Sequence, residues 1–122
     1  VRRIKKVVMN DTYSEDQKNL CEKYHASFFP SNVDLVVGIS KNVKNGEFPI
    51  NGLRHKPEGN TTGWYIWAGT NLSTEPGFFV PVHVLHLNDW NPKILQYLGL
   101  PPGWRFLFDE KHEDVWEDKN LL

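Results

Sequence analysis

The chain has 122 residues, 39% of them hydrophobic, with a formal net charge of −1 and a single cysteine. That is the length of one domain with one modest core, about two-thirds of the unfolded surface being buried at this size. It argues against an internal disulfide framework, a Cys-rich zinc site, a bilayer-spanning apolar run and the basic balance of a general nucleic-acid binder.

The first six residues are basic through Arg2, Arg3, Lys5 and Lys6, but no apolar stretch follows to complete a secretory signal. The expectation is a soluble domain of a reducing compartment. Residues 1–12 are its least defined part. Ser14-Glu15-Asp16-Gln17 reads as a capping box that opens a helix. Leu20, Cys21, Tyr24 and Phe28 then form one apolar stripe, and the helix should end before Pro30.

Val33 to Ser40 is β-branched and apolar and predicts a strand, with a bulge at Gly38. Ile50–His55 and Trp64–Gly69 predict two more. Loops rich in Asn, Gly, Thr and Pro separate them. Phe79 to Leu87 alternates and reads as a strand, which Pro81 assigns to an edge or a bulge. Asn91-Pro92 opens a second helix whose inner face is Ile94, Leu95 and Leu98. Gly99 should then supply a left-handed turn. Pro101-Pro102-Gly103 predicts a turn into a strand at Trp104–Phe108, and Asp114–Glu117 offers a sixth. The sum is an α+β fold: a single domain over residues 1–122, a mostly antiparallel sheet of about five strands with two helices packed on it.

Reactive constellations are weak. His83 and His86 point to opposite faces of a strand, which separates them as metal ligands. Cys21 has His25 one helical turn away, a thin basis for a nucleophile; a buried, inert thiol is the simpler reading. There is no glycine-rich phosphate cradle, no Gly-x-Ser-x-Gly elbow and no His-Glu-x-x-His. No catalytic residue, metal or cofactor is expected, and the chain is expected not to be an enzyme.

The aromatic residues say more. In Trp64-Tyr65-Ile66-Trp67, one alternate pair can enter the core. The other pair needs a cover: a helix, a partner or a ligand. Trp104 and Phe106 share one face, with Arg105 on the other. One or two of the five tryptophans should be exposed. Residues 109–118 carry Asp109, Glu110, Glu113, Asp114, Glu117 and Asp118 against Lys111 alone. Such a run is a solvated face or the docking side for a basic partner.

Ile39-Ser40-Lys41-Asn42-Val43, Ile50-Asn51-Gly52-Leu53-Arg54-His55-Lys56-Pro57 and Thr62-Gly63-Trp64-Tyr65-Ile66-Trp67-Ala68-Gly69 together resemble a bacterial immunity-protein family. It is type thirty-three of the polymorphic-toxin systems, formerly a domain of unknown function. Asn91-Pro92-Lys93-Ile94-Leu95 and Pro102-Gly103-Trp104-Arg105-Phe106 resemble its later helix and Pro-Gly turn. The resemblance spans roughly residues 35–118. Thr61-Thr62 stands where the family has Asp-Ser.

The resemblance implies a non-enzymatic protein that binds and neutralises a cognate toxin in the bacterial cytoplasm, with neither nucleic acid nor membrane as partner. The partner-binding candidates are Arg54, Trp64, Trp67 and Trp116, with Glu113, Asp114 and Glu117 as a charged rim facing a basic toxin. Arg54 equally suits a structural ion pair. Trp104 and Arg105 fit a role in holding the Pro-Gly turn. The alternative is a small-ligand module that stacks a sugar or a base on exposed tryptophan.

Overall fold

The structure is a computed structural model that describes residues 2–122, with side chains from Tyr13 onward. Helix α1 (Arg2–Lys23) is followed by strands β1 (Val36–Ser40), β2 (Ile50–Arg54), β3 (Thr61–Ala68), β4 (Phe79–His83), β5 (Trp104–Phe108) and β6 (Glu113–Glu117). Short 3-10 helices occupy Lys41–Val43, Val84–Asp89, Pro92–Tyr97 and Lys119–Leu121. The six strands form one sheet in the order β4-β1-β3-β2-β5-β6. Only the β1–β3 pair is parallel; the other four pairings are antiparallel.

One face of this sheet builds the core. Register puts Ile39, Ile66, Gly52 and Phe106 on it in successive strands. Trp64, Ile50, Phe108 and Val115 lie on the same face, against Leu20 and Cys21 of α1 and Ile94, Leu95 and Tyr97 of the 3-10 helix Pro92–Tyr97. Tyr97 stacks on Phe106 at 4.5 Å between ring centroids and on Phe108 at 5.2 Å, each within 13° of parallel. Gly52 makes room for this stack, since a Cβ there would overlap the Phe106 ring.

Several sequence expectations are met. The register shift in β1 falls between Val36 and Gly38, the expected bulge. The Asn91 side chain caps its helix by accepting from Lys93 N–H at 3.1 Å. Gly103 has φ +92°, and Trp104 N–H donates to Pro101 O at 3.2 Å, so the Pro-Gly turn forms with Gly in the left-handed position.

Four expectations are corrected. Ser14 does not start a helix, because α1 runs straight through it from Arg2. A capping sequence marks where a helix can begin, and inside a continuing helix its residues take ordinary interior places. The strand read as Phe79–Leu87 stops at His83, and Val84–Asp89 turns into a 3-10 helix that buries Val84 and Leu87. Spacing of three suits a 3-10 turn, which strand alternation masked. The second helix is 3-10 rather than α. Gly99 has no left-handed φ; a Cβ there would press on Phe28 and Gln17, so what this position requires is space.

Candidate interaction surface

Alternation along WYIW divides its residues as expected. Trp64 and Ile66 enter the core; Tyr65 and Trp67 lie on the opposite face. Trp64 is 1% exposed, and its indole N–H donates to Leu98 O at 3.3 Å. Arg54, its register partner on β2, is also 1% exposed. Its Nε donates to Thr62 O, and one terminal nitrogen donates to Phe29 O and Leu100 O, each at 2.8 Å. No carboxylate pairs with it among the described residues. Burial lowers the guanidinium to about 10, still charged at neutral pH. Burial thus takes Arg54 and Trp64 off the list of surface contacts. They tie the segment after α1 and the chain after residue 97 to the sheet. The ion pair weighed for Arg54 is replaced by a carbonyl cage.

Glu113 also turns toward the helical side. It accepts from the hydroxyls of Tyr24 and Tyr97 at 2.6 Å each and from Lys23 Nζ at 3.0 Å. Burial pushes its carboxyl up, but the tyrosine hydroxyls and Lys23 outweigh that and hold it below the usual carboxylate range. Its role is a latch between α1, the Pro92–Tyr97 helix and β6.

Among the described residues no α-helix packs on the opposite face of the sheet; the 3-10 helix Lys119–Leu121 borders it, with Leu121 O 3.2 Å from His55 Nδ1. Pairing runs Pro81, Gly38, Tyr65, Leu53, Arg105 and Trp116 across it in one row through all six strands. Gly38 leaves space that the Tyr65 ring fills. Tyr65 also meets Phe79 at 5.2 Å and His55 at 5.7 Å, both edge to face. It remains 39% exposed. Leu72, at 49%, stands beside it on the loop before β4. Leu53, His55, Tyr65, Leu72, Glu75 and Phe79 border a shallow groove of about 310 Å³.

At the other end of the row, the Arg105 guanidinium lies over the Trp116 ring at 5.4 Å and pairs with Asp118 at 3.3 Å. Trp116 is half-buried, whereas Asp114 and Glu117 are exposed and lack a cationic partner among the described residues. Trp67 belongs to this face but is only 4% exposed, edge-on to Phe79 at 6.4 Å. No tryptophan is fully exposed: Trp90, Trp104 and Trp116 are half-buried. Of the expected contacts, Trp116 and Asp114 reach the surface on this face, whereas Glu117, paired with Trp104, is exposed on the other side of the edge strand. Tyr65 and Leu72 were missed. Alternation separates Tyr65 from Trp64 but does not say which of the two faces the helices cover.

The Cys21 thiol is 2% exposed, donates to Gly99 O at 3.3 Å and is pushed up by burial, away from a reactive thiolate. His83 and His86 come within 6.2 Å of each other, nearer than strand geometry predicts. Among the described residues, no three His, Cys, Asp or Glu side chains are grouped to hold a metal. No described helix is long and apolar enough to cross a membrane. A cavity of about 480 Å³ between α1 and the 3-10 helix Val84–Asp89 is bordered by Tyr13, Gln17, Val33, Leu85 and Leu95, with no tryptophan among the described residues of its wall.

The Imm33-like domain family matches residues 16–118. The chain belongs to this family. The matched span takes in all six strands, and with them the uncovered face and the Arg54 cage. No curated protein and no solved structure matches the chain. Family membership assigns it to the immunity proteins by name and agrees with the resemblance carried by the Ile50–Pro57 and Thr62–Gly69 segments.

Proposed function

We propose that this Imm33-like protein binds a cognate bacterial toxin in the cytoplasm and neutralises it by protein–protein contact, without catalysis. The observation that carries this reading is the sheet face on which no α-helix packs among the described residues, from the Tyr65–Leu72 groove to Trp116. An amphipathic sheet normally hides one face and solvates the other. Here the second face presents Tyr65, Phe79 and Trp116, with Leu53 buried beneath them and Asp114 at the rim. Aromatic anchors with a charged rim are the anatomy of a protein-binding patch. The rigid strands that carry them have little entropy to lose on docking.

The small-ligand reading lacks a supporting feature. Stacking a sugar or base on exposed tryptophan needs an indole in the wall of a cavity, and neither of the two cavities described above has one. The test is co-expression with the toxin encoded beside this gene. Growth should be restored by the wild-type protein and lost with Tyr65→Glu combined with Leu72→Glu. Growth arrest despite abundant folded wild-type protein would refute the reading.

A further inference from the structure

The two edges of the sheet differ in what their main chains offer. β4 forms one edge and β6 the other. Val84 N–H donates to Leu35 O at 2.9 Å, continuing the β1–β4 ladder. Hydrogen-bonded pairs alternate in an antiparallel ladder, so Val80 and Val82 turn their main-chain groups inward to β1. Phe79, Pro81 and His83 turn theirs outward. Pro81 has no N–H, so the centre of that edge has no donor.

The β6 edge has no such gap. Asp109 N–H donates to His112 O at 3.0 Å, and Asp118 N–H donates to Gly103 O at 2.6 Å. These two bonds bracket the β5–β6 ladder. Between them the bonded pairs are Leu107 with Asp114 and Arg105 with Trp116. Glu113, Val115 and Glu117 therefore present N–H and C=O to the open side. No hydrogen bond among the described residues reaches these groups there. Three consecutive outward sites are enough for a short added strand.

Side-chain charge decides what can pair. Asp114 and Glu117 flank the edge with unpaired carboxylates, while Glu113 is drawn inward to Tyr24 and Tyr97. A second copy paired antiparallel about Val115 would set Glu113 against Glu117 at both ends. Like charges directly opposite oppose that pairing. A strand bearing Lys or Arg meets no such penalty and places its alternate side chains beside Trp116. We propose that the open edge of β6 receives a basic strand of the toxin, extending the sheet to seven strands. This rests on the immunity reading above and names the contact.

The test is amide hydrogen exchange of the full chain, alone and with the toxin encoded beside its gene. In the free protein the Asp114 and Trp116 amides should be protected and those of Val115 and Glu117 should exchange fast. In the complex, Val115 and Glu117 should become protected. Glu117→Pro removes an outward N–H and should weaken binding about tenfold, against only a few-fold for Glu117→Gln, which removes charge alone. A complex in which Val115 and Glu117 still exchange at the free rate overturns the strand addition and leaves the immunity reading standing. Absence of any complex with the wild-type protein overturns both.

Discussion

The Arg54 guanidinium lies 5.5 Å from the centre of the Trp64 ring, and both side chains donate to the carbonyl of Leu98. Ser31 Oγ donates to the same oxygen at 2.6 Å. A buried cation without a carboxylate is costly unless hydrogen bonds replace its water. Here the main-chain oxygens of Phe29, Thr62 and Leu100 do so. Arg54→Met strands these carbonyls and should cost about 3 kcal/mol or more in denaturant unfolding. Arg54→Lys keeps the charge but not the fork, and should fall between the two. A methionine variant within about 0.5 kcal/mol of wild type would show that the cage is dispensable.

Glu113 predicts a pH dependence. Its carboxyl titrates below its ordinary range in the fold. Its stabilisation is therefore fully present above that ordinary range and disappears as pH falls through the lowered value. Glu113→Gln should cost about 2 kcal/mol at neutral pH and flatten the acidic arm of the stability curve. Unfolding followed from neutral pH to pH 2 checks this. An acidic arm as steep in the variant as in wild type would remove Glu113 from the account.

Gly52 and Phe106 predict a packing effect. Gly52→Ala forces the Phe106 ring out of its stack with Tyr97, at a cost of about 1–3 kcal/mol. Phe106→Leu placed on that background should recover part of the loss, because the smaller side chain vacates the Cβ position. Calorimetric Tm values for the single and double variants measure the coupling. Strict additivity would contradict it.

Tyr65 and Leu72 predict the reverse pattern. Leu72 is 49% exposed, so Leu72→Glu should change stability by no more than about 0.5 kcal/mol. The same change should weaken toxin binding at least tenfold if the groove beside Tyr65 is in the contact. Equal affinity for the variant and wild type would move the contact elsewhere on the molecule.

Much of this was legible in the sequence where local rules act alone. The Asn91-Pro92 cap, the Pro101–Gly103 turn and the strand at Trp104–Phe108 depend on residues adjacent in the chain, and each formed. Alternation split Trp64 from Tyr65 correctly. It could not tell which face would receive the helices, and that choice decides which of the two is buried. Arg54 shows the same limit more sharply. Its partners are main-chain oxygens up to 46 residues away, and carbonyl acceptors leave no mark on sequence. Glu113 sat in an acidic run that read as a uniform rim. Tyr24 and Tyr97, far off in the chain, single it out.

The most direct measurement is titration of the purified protein into the toxin encoded beside its gene, with toxin activity followed in the same sample and the toxin's mass checked afterwards. Inhibition that rises in step with a saturable stoichiometric complex, from which unaltered toxin is recovered on dissociation, is the expected result. A toxin that stays fully active beside excess folded protein, or one inhibited only after covalent change, would contradict neutralisation by contact.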